Sequence, residues 1–378
     1  MDYRRAWVEI GVDRLLGNYS KIRAHLKPET KMMAVVKADA YGHGAPFVAR
    51  LLAEAGVEYL AVACLDEAKQ IRAAGVNTPL LVMGYTPPKL AGELCALGIS
   101  QGVFSLAYAK ELAAYVPSGD KLVIHIEIDT GMNRLGLGSC SAVDEAAEIA
   151  TMACFDAEGI FTHFSCADEE DKTYPKEQYA KFREVLDGLE QQGVHFALRH
   201  AANSAATLAF PEMQLDMVRP GLILYGLYPS EHVEQIGLEP VMGLKATLMQ
   251  VKDLKAGGRV SYGGTFTAPR DMISGIVSAG YADGLIRKCG GMEMTVAGQA
   301  AAVLGRICMD MTVVDLSEIS QAVMGSTVDV FGHGALWSVD DIAELTETIN
   351  YEVCCLMSKR VPRVYVKDGK EVEILKYV

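Results

Sequence analysis

From about residue 32 to residue 226, short apolar runs alternate with longer stretches of helical spacing. The runs are MMAVV (32–36), YLAVAC (59–64), LLVMG (80–84), SQGVF (100–104), LVIHIEI (122–128), GIFTHF (159–164), FALRH (196–200) and LDMVRPGLILYG (215–226). Between them, APFVARLLAEAG (45–56), DEAKQIRAAG (66–75) and YAKFREVLDGLEQQG (179–193) place apolar residues three and four apart and close on glycine. Helices that end in a left-handed C′ residue have that pattern. A strand followed by a crossover helix, repeated, makes a parallel sheet. Eight such units predict an α/β fold of the (β/α)8 TIM-type barrel class. An open doubly wound sheet has the same local periodicity, and the count of eight with even spacing puts the barrel ahead.

After residue 230 the texture changes. GLKATLMQVKDLKAGGRVSYGG, MISGIVSAGYADG, GMEMTVAGQAAAVLGRICMDMTVVDL, STVDVFG and RVPRVYVKDGKEVEILKYV read as short strands split by glycine turns. Only 339–359 has helical spacing. The expected division is a barrel domain over 12–230 and a mainly β domain over 231–378, which the N-terminal strand 1–11 is expected to join.

Composition narrows the function classes. A chain of 378 residues exceeds the size at which one core stops growing, and 50% hydrophobic content excludes disorder as the main description. Thirty-five basic against 48 acidic residues, a formal charge of −13, exclude a general nucleic-acid or anionic-membrane surface. A small phosphate site built from backbone N–H groups is compatible with that charge. No apolar run approaches the roughly 20 residues that span a bilayer, and the start, MDYRRAWVEIGVD, lacks the apolar region of a signal peptide. Nine cysteines, Cys140 among them, with none in a CxxC pair, give no sign of a disulfide frame or a metal site. A reduced cytoplasm is the expected compartment.

A barrel places its chemistry at the C-terminal ends of its strands, and the unusual residues fall there. Lys37 ends the first strand in AVVKADAYGHG, Arg134 follows the fifth in DTGMNRLG, and His163 ends the sixth in THFS. HAANS (200–204) follows the seventh, and Arg219 ends the eighth beside Gly221. A strand-end lysine taken alone is most simply a surface lysine. The alternative is an amine that bonds a carbonyl cofactor.

AVVKADAYGHG closely resembles the pyridoxal-phosphate (PLP) lysine motif of alanine racemases. DTGMNRLG, THFSCADE, HAANSAATL, VRPGLILYG, VSYGGTFTA, AGYADG, GRICMD and YEVCCLMSKRVPR also resemble motifs of that family, in the family's order, from about residue 32 to 363. The resemblance implies a PLP-dependent racemase that interconverts L- and D-alanine by a two-base mechanism and supplies D-alanine for peptidoglycan. Its fold, a PLP-binding barrel followed by a β domain, agrees with the periodicity.

The resemblance also implies residue roles. Lys37 would hold PLP and act as base on one face of the substrate Cα, and Tyr262 would be the base on the other. Tyr262 taken alone is more simply a strand residue packed in the β domain, and His163 a satisfied core histidine. His163 and Arg219 would support the tyrosine, whose ordinary pKa near ~10 is high for a base. Arg219 would face the PLP ring nitrogen. Arginine only donates, so that nitrogen would stay unprotonated and act as a poor electron sink, which suppresses side reactions. Ser204, backbone N–H groups at Gly221 and Leu222, and the Tyr41 and Tyr351 hydroxyls would hold the phosphate. Ser204 also reads as a plain N-cap. Arg134 and the Met309 backbone N–H would contact the substrate carboxylate, while Tyr281, Arg306 and Asp310 resemble residues of the family's access corridor. In this family the β-domain residues come from the other subunit, which implies a homodimer with two shared sites.

Tyr351, a bulky phenol beside the substrate, would leave room for little more than a methyl group. The rivals are a racemase preferring serine or another amino acid, a non-catalytic PLP-binding barrel, and a decarboxylase of similar architecture. One departure from the family stands out. Many alanine racemases carry a carbamylated lysine where this chain has Glu127, and Glu127 is expected to hold Arg134 by a charge-assisted hydrogen bond, with Asp129 on the same strand face.

Overall fold

The structure, a computed structural model, describes residues 4–138 and 141–378, so Cys140 lies outside the described residues. The chain divides into two compact units, one of Leu16–Ala40 with Ala45–Leu238, the other of Met1–Leu15, Tyr41–Gly44 and Glu239–Val378.

In the first unit eight strands lie in parallel register. Their order is Met217–Val218, Lys31–Val35, Tyr59–Val62, Leu80–Val82, Ile99–Val103, Leu122–Asp129, Phe155–Phe161 and Leu198–His200. They are near-continuous apolar runs because helices cover their outer faces and side chains fill the interior. Tyr59–Val62, Leu80–Val82 and Ile99–Val103 are buried throughout. Two backbone hydrogen bonds bridge the remaining seam: Asp216 N–H donates to Arg199 O (3.1 Å) and Arg219 N–H to Ala202 O (2.9 Å). The sheet therefore closes on itself, as the barrel reading expects.

The last strand is much shorter than its apolar run. It stops at Val218, and Leu222–Tyr225 forms a 3-10 turn. Pro220 supplies no N–H to a ladder, so an apolar run through it cannot stay a strand. The chain leaves the sheet at Arg219 and Gly221, where the site needs loop backbone.

In the second unit the strand Met242–Leu254 is the axis. It pairs antiparallel with Ala6–Gly11, Thr327–Phe331 and Met272–Val277. Ala6–Gly11 also pairs parallel with Arg363–Lys367. The helical stretch expected over 339–359 is two helices, Val339–Thr346 and Asn350–Cys355. They break at Glu347, a non-glycine residue at φ 59°. Arg363 is fully buried and donates to the carbonyls of Gly42, Met357, Ser358 and Val361 at 2.6–2.9 Å. Gly42 itself sits where a Cβ would lie 2.2 Å from Cys354 O, so no other residue fits.

Candidate active site

Lys37 leaves the first barrel strand half-buried and enters a left-handed turn. Ala38, Asp39, Ala40 and Tyr41 all have φ between 52° and 56°, a conformation that costs roughly 1–2 kcal/mol per non-glycine residue. Glu67 holds the turn by accepting from Ala38 N–H (2.7 Å) and Ala63 N–H (2.8 Å). Ala40 N–H donates to Val36 O (2.9 Å), and Asp39 Oδ1 accepts from Ala45 N–H (2.8 Å). Backbone strain imposed by several hydrogen bonds beside one amine is how a functional side chain is fixed in direction. Glu67 escaped sequence reasoning because nothing in DEAKQ marks it.

Arg219 is 2% exposed, a buried arginine at the strand end. Its Nη1 donates to His200 O and His200 Nδ1 (both 3.0 Å). Its Nη2 donates to Thr162 O (2.8 Å), Ala201 O (3.1 Å) and His163 Nδ1 (3.2 Å). Its hydrogen bonds to described residues thus run through Nη1 and Nη2, none through Nε. Burial brings its pKa down to about 10, against the pull of Glu127, so it stays a cation at neutral pH. Since arginine has no acceptor, His163 Nδ1 must accept, and the His163 proton sits on Nε2. Burial, then the charges of Arg219, Arg134 and Lys37, hold His163 well below the usual histidine range, so its ring is neutral.

Ser204 and Gly221 come together, with Gly221 N–H donating to Ser204 Oγ (2.9 Å). Ser204 is not the N-cap. Asn203 caps the helix Ser204–Ala209 by accepting from Ala206 N–H (3.0 Å). The Ser204 oxygen accepts from Gly221 instead of from its own helix, and its hydroxyl proton is left to donate. Leu222 begins the 3-10 turn directly after Gly221.

Arg134 is exposed in the loop after the fifth strand. Asp129 shapes that loop by accepting from Gly131 N–H (2.9 Å) and Asn133 N–H (3.0 Å). Glu127 is 4% exposed, and among the described residues it makes no hydrogen bond to Arg134. The expected charge-assisted bond gives way to attraction through space. Burial raises the Glu127 pKa to about 7, outweighing Arg134 and Arg219, which lower it, while Asp129 raises it further. Folding thus raises this carboxyl above its ordinary 4.5. Its stabilising contribution is complete below that ordinary value and is lost as pH rises through about 7. Urea unfolding of the cofactor-free protein at pH 5 and pH 8 checks this. The wild type should lose on the order of 3 kcal/mol more than Glu127→Gln over that span, whereas equal losses would mean that Glu127 is charged throughout.

The remaining assigned residues belong to the second unit. Tyr262 opens the turn Tyr262–Gly264 and is 69% exposed, so it is not packed in a β core. Met309 is 51% exposed. The two loops are tied together where Ser261 Oγ donates to Arg306 O and lies 3.4 Å from Cys308 Sγ. Met309 O accepts from Ala282 N–H (3.0 Å), which brings Tyr281 into the same group. The fully buried Asp283 organises it, accepting from Gly280 N–H (2.9 Å), Arg360 Nε (2.8 Å) and Arg5. Arg360 also donates to Asp310 (2.7 Å). Asp283, Arg5 and Arg360 were missed, since their pairing links positions far apart in sequence. Tyr41 and Tyr351 face each other with ring centroids 6.1 Å apart. Burial, then Tyr351 and Cys355, push the Tyr41 phenol up, so it remains a neutral donor.

Residues 10–229 match the family model for the alanine racemase N-terminal domain, and residues 241–365 the model for the C-terminal domain. The chain belongs to the alanine racemase family. It is 43% identical over 365 residues to alanine racemase of Desulforamulus reducens, covering 95% of this chain and 98% of that protein. It is 42% identical to alanine racemase of Clostridium tetani, covering 99% of each. Alanine racemase of Clostridium difficile superposes with a TM-score of 0.97 at 37% identity over the full length of both chains. The enzyme of Bacillus anthracis with bound L-Ala-P superposes at 0.94 and 33% identity, covering 100% of this chain and 99% of that one. Alanine racemases are PLP-dependent isomerases, and this site fits that cofactor. An amine sits at the barrel mouth, the Ser204 hydroxyl lies beside the Gly221 N–H, and the buried Arg219 keeps its Nε–H clear of the protein bonds that fix its other end.

Proposed function

We propose that this alanine racemase interconverts L- and D-alanine in the cytoplasm, at sites shared between two copies of the chain. What carries the reading is the match to alanine racemases along the whole chain, together with Lys37, His163, Ser204 and Arg219 at the strand ends of one barrel. The decarboxylase and cofactor-storage readings fall with that match. No helix among the described residues is long and apolar enough to cross a membrane.

Bound PLP supplies an electrophilic carbonyl and withdraws electrons from the substrate Cα. Lys37 would hold it, with the phosphate on Ser204, Gly221 and Leu222 of the barrel, 12–230, and on the Tyr41 and Tyr351 hydroxyls, and the ring nitrogen on Arg219. Arg134 and the Met309 N–H, the latter from the β domain, 231–378, bind the substrate carboxylate. Lys37 takes or returns a proton on one face of Cα and Tyr262 on the other. His163, neutral and with its proton on Nε2, would keep the tyrosine's proton exchange on a fixed path. Tyr351 confines the side chain to a methyl group, which favours alanine over serine. The product, D-alanine, would serve peptidoglycan.

The direct experiment is Cα exchange in deuterium oxide. Purified protein should wash deuterium into both alanine enantiomers, and failure with either would end the two-face reading.

The exposure of Tyr262 and Met309 on the β unit, with Tyr281 at 41% and Met311 at 39%, supports a second copy. We expect light scattering to give twice the chain mass, and specific activity to fall on dilution as the dimer dissociates. A fully active monomer would refute the shared site.

A further inference from the structure

Behind Arg219 the barrel interior is polar where packed aliphatic side chains are usual. His200 Nε2 lies 2.8 Å from His125 Nδ1, and His125 Nε2 lies 3.1 Å from Glu158 Oε2. Tyr59 OH donates to the same Glu158 oxygen (2.9 Å) and lies 2.7 Å from Ser100 Oγ. His125 and His200 are fully buried, and the Glu158 side chain is one-third exposed. Space for the His125 ring comes from Gly159, its register partner, where a Cβ would lie 2.3 Å from His125 Nδ1. Phe161 stacks on His200 with rings 5.0 Å apart and 8° from parallel. A glycine in mid-strand that exists to admit a histidine marks a built feature.

The chain of bonds has one self-consistent direction. Arg219 only donates, so His200 Nδ1 accepts and His200 carries its proton on Nε2. That proton goes to His125 Nδ1, which places the His125 proton on Nε2, donated to Glu158. The opposite sense would set an N–H of His200 against an N–H of Arg219. Burial, then Arg219 and His125, hold His200 well below the usual histidine range. Burial also lowers His125, against the pull of Glu158. The hydrogen bond from His125 lowers Glu158 below the usual carboxylate range. Two neutral rings therefore connect a buried cation to an anion at the edge of the barrel.

We propose that Glu158, His125 and His200 form a one-way hydrogen-bond relay through the barrel that orients Arg219 as the donor to the cofactor ring nitrogen. Charge-assisted at both ends, the relay stiffens each link beyond an isolated histidine pair. The three are positioning residues, acting on the chemistry through the guanidinium. The inference rests on the racemase reading only for the identity of what Arg219 faces.

The test is ring-nitrogen NMR of the full-length protein with 15N-labelled histidine, first without cofactor. Both rings should be neutral and protonated on Nε2 from pH 6 to pH 9. Glu158→Gln removes the anion but keeps an oxygen that accepts from His125 Nε2–H, so both rings should stay protonated on Nε2 while the Nε2–H signals of His125 and His200 move as their hydrogen bonds weaken. The absorbance of bound cofactor should shift, and kcat should fall about 10- to 100-fold with KM little changed. Glu158→Asp, which keeps the charge, should recover much of this. A purely structural role would lower the melting temperature of both variants and leave the Nε2–H signals and the absorbance alone. A wild-type His200 protonated on Nδ1, or charged, would overturn the relay even if no variant folds. Failure of the racemase reading would appear instead as absent Cα exchange with both tautomers intact.

Discussion

Replacing Lys37 by alanine is expected to abolish racemisation and the visible absorbance of bound cofactor together. The amine sits where the first strand ends, and Glu67 and Asp39 hold the left-handed turn that follows. Lys37→Ala should therefore fold, with a far-UV spectrum like the wild type's. What it loses is both the covalent anchor and one of two proton acceptors, so the fall in turnover should be on the order of 10⁴-fold or more. A small primary amine added to the variant should restore a trace of activity by replacing the missing base. The checks are an absorbance spectrum after cofactor addition and a coupled D-alanine assay on the same sample. Turnover close to the wild type's would mean that another group holds the cofactor.

The barrel was legible because its strands are buried on both faces and separated by helices with clear periodicity. Its eighth strand was legible in place but not in length. Apolar character ran from Leu215 to Gly226, while Pro220 ended the ladder after Val218. The mouth residues were legible because the fold sends chemistry to strand ends, and Lys37, His163, Ser204 and Arg219 stand there. Resemblance supplied their roles; the structure added burial, tautomer and cap. Asn203 rather than Ser204 caps its helix, since both residue types cap well and only backbone geometry chooses between them.

Burial itself left no trace in the sequence. Glu127 was expected to be an anion paired with Arg134, and it is instead a carboxyl half-ionised near neutrality, because burial outweighs two distant arginines. The Glu158–His125–His200 chain joins residues 33 and 75 positions apart, and no local pattern encodes such pairing. One signal was present. Gly159 interrupts a strand that otherwise has no use for glycine, and parallel register with the preceding strand would have pointed to His125. Glu347, left-handed between two helices, carried no signal, as glutamate has no preference for that conformation.

Tyr262→Phe is expected to reduce racemisation in both directions by the same factor, on the order of 10²–10⁴. The variant keeps the ring and removes only the hydroxyl. Tyr262 is 69% exposed on a turn whose backbone is held by Ser261 and Arg306, so folding does not depend on it. If Lys37 serves one face of Cα and Tyr262 the other, each accepts a proton in one direction and delivers one in the reverse. Losing either group therefore slows both directions equally, as the unchanged equilibrium between enantiomers demands. The two exchange reactions, however, should separate. Deuterium should still enter D-alanine at a rate set by Lys37, without inversion, while exchange into L-alanine collapses. Mass spectrometry of each enantiomer recovered from deuterium oxide resolves the two. Loss of both exchange reactions would mean that the hydroxyl orders the cofactor instead of carrying a proton. Unchanged exchange into L-alanine would place the second base on another residue, because a phenylalanine ring cannot accept a proton from Cα.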